Sequence, residues 1–192
     1  MQKDASNNKR KLLLVLAVFA LPLIAAYLAY FVWRPQGAVR NYGELIQPMP
    51  LPETITLAKR EGGQVSLKEL RGKWLMVQVD AGGCDDACEK KLYAMRQVRL
   101  MQGKEQERVV RLWVVTDEVA PNPVLKQKID SMMLLKDASG ELIIKLPPQA
   151  GAKQYIYLID PLGNLMLRWP ANPDIKRMHK DLERLLKYSQ IG

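Results

Sequence analysis

The run Val77-Gln78-Val79-Asp80-Ala81-Gly82-Gly83-Cys84-Asp85-Asp86-Ala87-Cys88-Glu89 decides the fold. An apolar stretch from Trp74 to Val79 leads into it, two glycines break it, and Leu92, Met95, Val98 and Met101 then recur at helical spacing. A short apolar run bounded by glycine reads as a strand, and apolar residues three apart as a helix. The expected unit is strand, glycine turn, Cys-x-x-x-Cys, helix. Both cysteines of the chain lie in it. Residues four apart share a helical face, so this spacing predicts both sulfurs on the first helical turn. Free N–H groups and the helix dipole favour a thiolate there. The acidic neighbours Asp80, Asp85, Asp86 and Glu89 oppose it, and Asp85 or Asp86 is a candidate N-cap. Two such sulfurs form a disulfide, structural or reactive, or clamp one soft metal ion. A four-ligand zinc site lacks its other two ligands.

Toward the N-terminus, residues 12–33 carry no charge. These 22 residues would make roughly 33 Å of helix, enough to span a bilayer. Pro22 is tolerable in a membrane helix, and Tyr27, Tyr30 and Trp33 resemble an interfacial aromatic group. A cleaved signal peptide has about 7–15 apolar residues followed by small ones. This run is longer and ends in Val32-Trp33-Arg34-Pro35, which predicts an uncleaved anchor. Lys3, Lys9, Arg10 and Lys11 precede it, and the positive-inside rule puts residues 1–11 in the cytoplasm. The expectation is a single-pass protein of the inner membrane with a periplasmic C-terminal domain. Membrane lipid is then a partner through the anchor. The net charge of +9 is spread along the chain without a nucleic-acid motif, so no nucleic-acid partner is expected.

Residues 34–53, with Pro35, Gly37, Gly43, Pro48, Pro50 and Pro52, read as a linker, and 54–192 as the folded domain. Thr54-Ile55-Thr56-Leu57 and Val65 to Leu67 suggest a lead-in hairpin. Val109-Val110-Arg111-Leu112-Trp113-Val114-Val115 reads as a buried parallel strand. Leu125, Ile129, Met132 and Met133 recur at helical spacing after Pro121 and Pro123, while Leu142-Ile143-Ile144 is a run of undecided type. Gln154 to Asp160 and Leu165 to Trp169 flank a Pro161-Leu162-Gly163-Asn164 turn as a hairpin. Ile175, Met178, Leu182, Leu185 and Leu186 mark a terminal helix. The predicted order is a hairpin followed by β–α–β–α–β–β–α, an α/β fold of thioredoxin-like order with helices on both sides of a mixed sheet. His179, the one histidine, falls among polar positions and reads as a solvated surface residue.

Over roughly residues 50 to 190 and the anchor, the chain resembles the Sco/SenC family of membrane-anchored thioredoxin-like proteins. The family signature is Cys-Pro-Asp-x-Cys-Pro. Cys84, Asp86 and Cys88 match it in order and spacing, while Asp85 and Glu89 stand at its proline positions. Tyr157-Leu158-Ile159-Asp160-Pro161-x-Gly163 resembles the family's downstream strand and turn. Family members bind copper through the two cysteines and a histidine five residues before that tyrosine, a position filled here by Ala152.

The resemblance implies an assembly factor for cytochrome c oxidase. Its partners would be oxidase subunits or a copper chaperone. Cys84 and Cys88 would be the catalytic thiol–disulfide pair, with Cys84 attacking and Cys88 resolving. The same two residues would be the metal ligands if Cu(I) is handled, since two thiolates suit that soft ion. Two other functions fit the cysteine pair: a scaffold in which the disulfide is structural, and a general periplasmic thiol–disulfide oxidoreductase.

Overall fold

Strand β4 (Trp74–Asp80) is buried at all seven positions, because it is covered on both faces and paired on both edges. The computed structural model describes residues 3–32, 41–127, 129–189 and 191. Strand β5 (Val109–Val115) runs parallel to β4 in the register Trp74↔Val109 through Asp80↔Val115. Strand β7 (Tyr155–Ile159) pairs with the other edge of β4, antiparallel, and turns into β8 (Asn164–Pro170). With β1 (Glu44–Pro50), β2 (Thr56–Lys59), β3 (Gln64–Ser66) and β6 (Met132–Lys136), the sheet order is β1-β8-β7-β4-β5-β6-β2-β3.

Alternation along β4 divides the core between the two faces. Leu75, Val77 and Val79 join Leu112, Val114, Tyr157 and Ile159 on one face, beneath Leu142 and Leu146 of the segment around helix α3 (Glu141–Lys145). Trp74 and Met76 pack on the other face against Met95 and Val98 of α2 (Asp86–Met101) and Met178, Leu182 and Leu186 of α4 (Ile175–Tyr188). Each of these two longer helices has an aspartate N-cap. Asp85 accepts from Cys88 N and Asp174 from Arg177 N. The thioredoxin-like mixed sheet flanked by helices agrees with the fold expected from the sequence.

Two expectations need correction. Met132 and Met133 belong to strand β6, parallel to β5, and not to a helix. Ahead of it a 3₁₀ segment, Pro123–Gln127, anchors Leu125, and Ser131 turns the chain with φ 57°. The unbranched run Met132-Met133-Leu134-Leu135 is compatible with either state by periodicity, and the open edge of β5 decides for a strand. The undecided run at 142–144 is helical.

Residues 34–53 are also not all linker, because Glu44–Pro50 forms edge strand β1 on β8. Arg168 holds Glu44 at 2.7 Å across that pair. The approach to β1 is fixed from α4, where the buried Asp181 carboxylate accepts from Tyr42 N (3.0 Å), Gly43 N (2.7 Å) and Trp169 Nε1 (3.0 Å). A Cβ at Gly43 would lie 2.5 Å from a Leu167 methyl, which is why glycine stands there.

The chain divides into two units, Met1–Arg40 and Asn41–Gly192. In the first, helix α1 (Lys3–Val32) begins within the expected polar tail and carries Pro22 inside it. Its Lys9–Ala29 stretch is long and apolar enough to cross a membrane. Tyr27 is exposed on it; the side chain of Tyr30, and Trp33 with the rest of residues 33–40, lie outside what is described.

Candidate functional site

The C-terminal end of β4 delivers the chain into the cysteine turn. Gly82 N donates to Asp117 Oδ1 (2.8 Å), and a Cβ at Gly82 would sit 1.9 Å from Val119 O. No other residue lets the turn pass this close to the loop after β5. Cys84 then adopts φ 43°, with its N–H on Ala81 O, and Asp85 starts α2. The expectation that both sulfurs share the first helical turn is therefore corrected. Cys88 is the third residue of α2, whereas Cys84 precedes the N-cap in left-handed backbone. The polar Asp85, free to cap, starts the helix at Asp86, two residues past Cys84.

The two residues are joined as a disulfide, with S–S 1.95 Å and Cα–Cα 5.2 Å. They are not equally placed. Cys84 is 8% exposed and Cys88 is 0% exposed. Around them Leu92, Trp113, Val115 and Leu125 make an apolar cluster.

Beneath Cys88 lies a polar network. Gln78 Nε2 is 3.1 Å from Cys88 Sγ, 3.3 Å from Cys88 O and 3.1 Å from Asp80 Oδ2. Lys91 Nζ meets the same Asp80 oxygen at 2.5 Å, with the lysine side chain 1% exposed, and also donates to Lys153 O. A buried ion pair holds only where further hydrogen bonds satisfy both ions, and Gln78 and Lys153 supply these. One end of the network touches sulfur and the other ties α2 to the 3₁₀ segment Gln149–Gln154.

Sequence reasoning named Asp80 only as an acidic neighbour and missed Gln78 and Lys91. The signals were a lone amide within the apolar run 74–79, and a lysine three residues after Cys88 on the helix's apolar face. His179 is half-buried, with Nδ1 3.0 Å from Gln102 Nε2. That partner corrects the reading of a simply solvated ring.

The donors present bear directly on copper chemistry. The 149–154 segment does reach the site, but through the Lys153 carbonyl. Ala152 beside it is a buried methyl packed in the core. Among the described residues no three His, Cys, Asp or Glu side chains gather to hold a metal. Two sulfurs above a buried ammonium do not fit a three-coordinate copper centre that needs a nitrogen ligand.

Copper-bound yeast Sco1 superposes with TM-score 0.61 at 20% identity, covering 73% of this chain and 95% of that one. A SCO1/SenC family lipoprotein from Bacillus anthracis gives 0.55 at 21%, covering 74% and 99%. The thioredoxin domain of a thiol-disulfide oxidoreductase from Bacteroides vulgatus gives 0.53 at 16%, covering 76% and 97%. These likenesses establish the fold that the chain shares with Sco1/SenC proteins. No curated protein sequence matches significantly. Residues 74–189, from the first residue of β4 to just past α4, match the family described as transmembrane-like, thioredoxin-like, C-terminal domain, and the chain belongs to that family.

Proposed function

We propose that the chain is a membrane-anchored thiol–disulfide exchange protein whose Cys84–Cys88 pair serves the assembly of cytochrome c oxidase. Helix α1 would hold it in the inner membrane with the N-terminus in the cytoplasm and the domain in the periplasm. One observation carries the exchange reading: the two sulfurs differ in access, and the hidden one rests on a polar network. A purely structural disulfide needs neither.

The chemistry follows from that asymmetry. A partner thiolate attacks Cys84 Sγ, the sulfur nearer to solvent, and the S–S bond breaks with its electron pair leaving on Cys88 Sγ. A mixed disulfide then joins the partner to Cys84. The partner's second thiol attacks its own half of this bond and releases Cys84. Two electrons and two protons pass from the partner dithiol to the pair, and the reverse sequence oxidises a partner. The oxidase, as client, is supported by the sequence resemblance and by the fold shared with Sco1/SenC proteins.

The test is trapping. In the full-length chain, the Cys84 thiolate of Cys88→Ser should attack the oxidised cysteine pair of an oxidase copper-site subunit and accumulate as a mixed disulfide, the partner's other sulfur leaving as a thiolate, and Cys84→Ser should accumulate none. Equal trapping by both variants, or by neither, would reject the assignment of roles. Turnover of unrelated disulfides such as insulin's would favour the general oxidoreductase. Retained function in Cys84→Ser would favour the scaffold.

A second reading is two-coordinate Cu(I) handling by the reduced pair, favoured by two sulfurs that converge on one point. One-to-one competition with a Cu(I) chelator, lost in Cys84→Ser, is its expected outcome.

A further inference from the structure

We propose that the Gln78 carboxamide is the hydrogen-bond donor to the leaving sulfur when the Cys84–Cys88 disulfide is opened. The inference rests on the exchange reading and names the group that makes Cys88 a good leaving sulfur. Opening by attack at Cys84 puts a full negative charge on Cys88 Sγ. That residue is wholly buried, so bulk water cannot solvate the charge. The helix N-terminus does not meet the need through Cys88's own amide, because that N–H is committed to the Asp85 cap at 2.9 Å. Gln78 Nε2 is already in place, 3.1 Å from the sulfur, before any charge develops.

The other end of the same side chain supports this role. Among the described residues, the buried Gln78 Oε1 has no hydrogen-bond partner. An unpaired buried acceptor is costly, and an amide serving only to join β4 to α2 would satisfy both its ends. Here the amide orientation is fixed by what its nitrogen serves: Asp80 Oδ2, Cys88 O and Cys88 Sγ. Asp80, held in turn by Lys91, keeps the NH₂ group turned toward the sulfur. A donor fixed in advance where charge will develop is the arrangement that lowers a barrier. Donation to a full charge is worth more than donation to a neutral disulfide sulfur, so the contact favours the opened state over the closed one.

The experiment uses the full-length chain in dodecyl maltoside micelles at fixed pH, with dithiothreitol as the reducing dithiol. Its two thiols become a cyclic disulfide, and their protons end on Cys84 and Cys88. Gln78→Met keeps the side-chain length and removes the donor. The second-order rate constant for opening should fall by about tenfold or more. The control is a Cys88→Ser chain carrying glutathione on Cys84, whose cleavage does not expel Cys88. There Gln78→Met should leave the rate within about twofold. Gln78→Leu, also without a donor, carries the same comparison should Gln78→Met not fold. An unchanged opening rate overturns the proposal, as does equal slowing in both backgrounds, which is what a structural role would give. Slowed opening together with no exchange on any client by the unmodified chain would remove the functional reading and keep this one. Client exchange with an opening rate indifferent to residue 78 would do the reverse.

Discussion

Asp181 and Asp80 are both buried carboxylates, and they are used in opposite ways. Asp181 on α4 accepts from two backbone amides and the Trp169 indole, and the cation beside it, Arg184, stands off at 3.5 Å. It fastens the chain at Tyr42 and Gly43 to the body of the domain. Asp80 accepts from Lys91 and the Gln78 amide, and the amide also touches Cys88 Sγ. The first carboxylate is surrounded by fixed donors that have no other task. The second shares one donor, the Gln78 amide, with a sulfur, so any change at the sulfur is felt there. Burial alone therefore does not mark a functional acid; the identity of the groups that share its donors does.

Substitutions should separate the two. Asp181→Ala leaves three donors, two of them buried, without an acceptor and should cost about 3–5 kcal/mol in chemical denaturation. The rate of disulfide opening should stay unchanged. A change in that rate would mean that the clamp and the cysteine turn are coupled.

Lys91→Met strands the Asp80 charge and should cost about 3 kcal/mol while also altering the thiol–disulfide equilibrium. In an Asp80→Asn background the same change should cost less than half as much, because no buried charge is left unpaired. Additive losses would show that the pair is not an energetic unit.

The two glycines beside these sites give the smallest effects. Gly82→Ala drives a Cβ into a backbone carbonyl and should cost about 2 kcal/mol with disturbed reactivity at Cys84. Gly43→Ala meets mainly side-chain atoms and should cost about 1 kcal/mol, without a redox effect. Thermal melts and alkylation rates on the same samples check both.

The strands and helices with clean periodicity were legible in the sequence: β4, β5, α2, the 155–170 hairpin and α4. Each announces its buried face through its own residues. Strand β6 was not legible, because its four unbranched apolar residues acquire their conformation from the open edge of β5. Strand β1 was hidden by Pro48 and Pro50, which an edge strand tolerates where an inner one does not. At the site the cysteines were evident, but the geometry between them was not, since the positive φ at Cys84 depends on a turn packed against Val119. The network beneath was partly signalled by Gln78 and Lys91, polar residues at apolar positions. Their common partner, Asp80, became clear only once the end of β4 and the first turns of α2 were brought together.

The attachment at Tyr42 has a mechanical consequence. Asp181 grips its backbone, Asp174 N donates to its hydroxyl and the Arg177 guanidinium lies 4.4 Å over its ring. A tensile load arriving along the chain at residue 41 would be taken first by α4 and by the β1–β8 ladder at the margin of the sheet. Strands β8 and β7 stand between that margin and β4, so such a load can strain the margin while the reactive turn stays at rest.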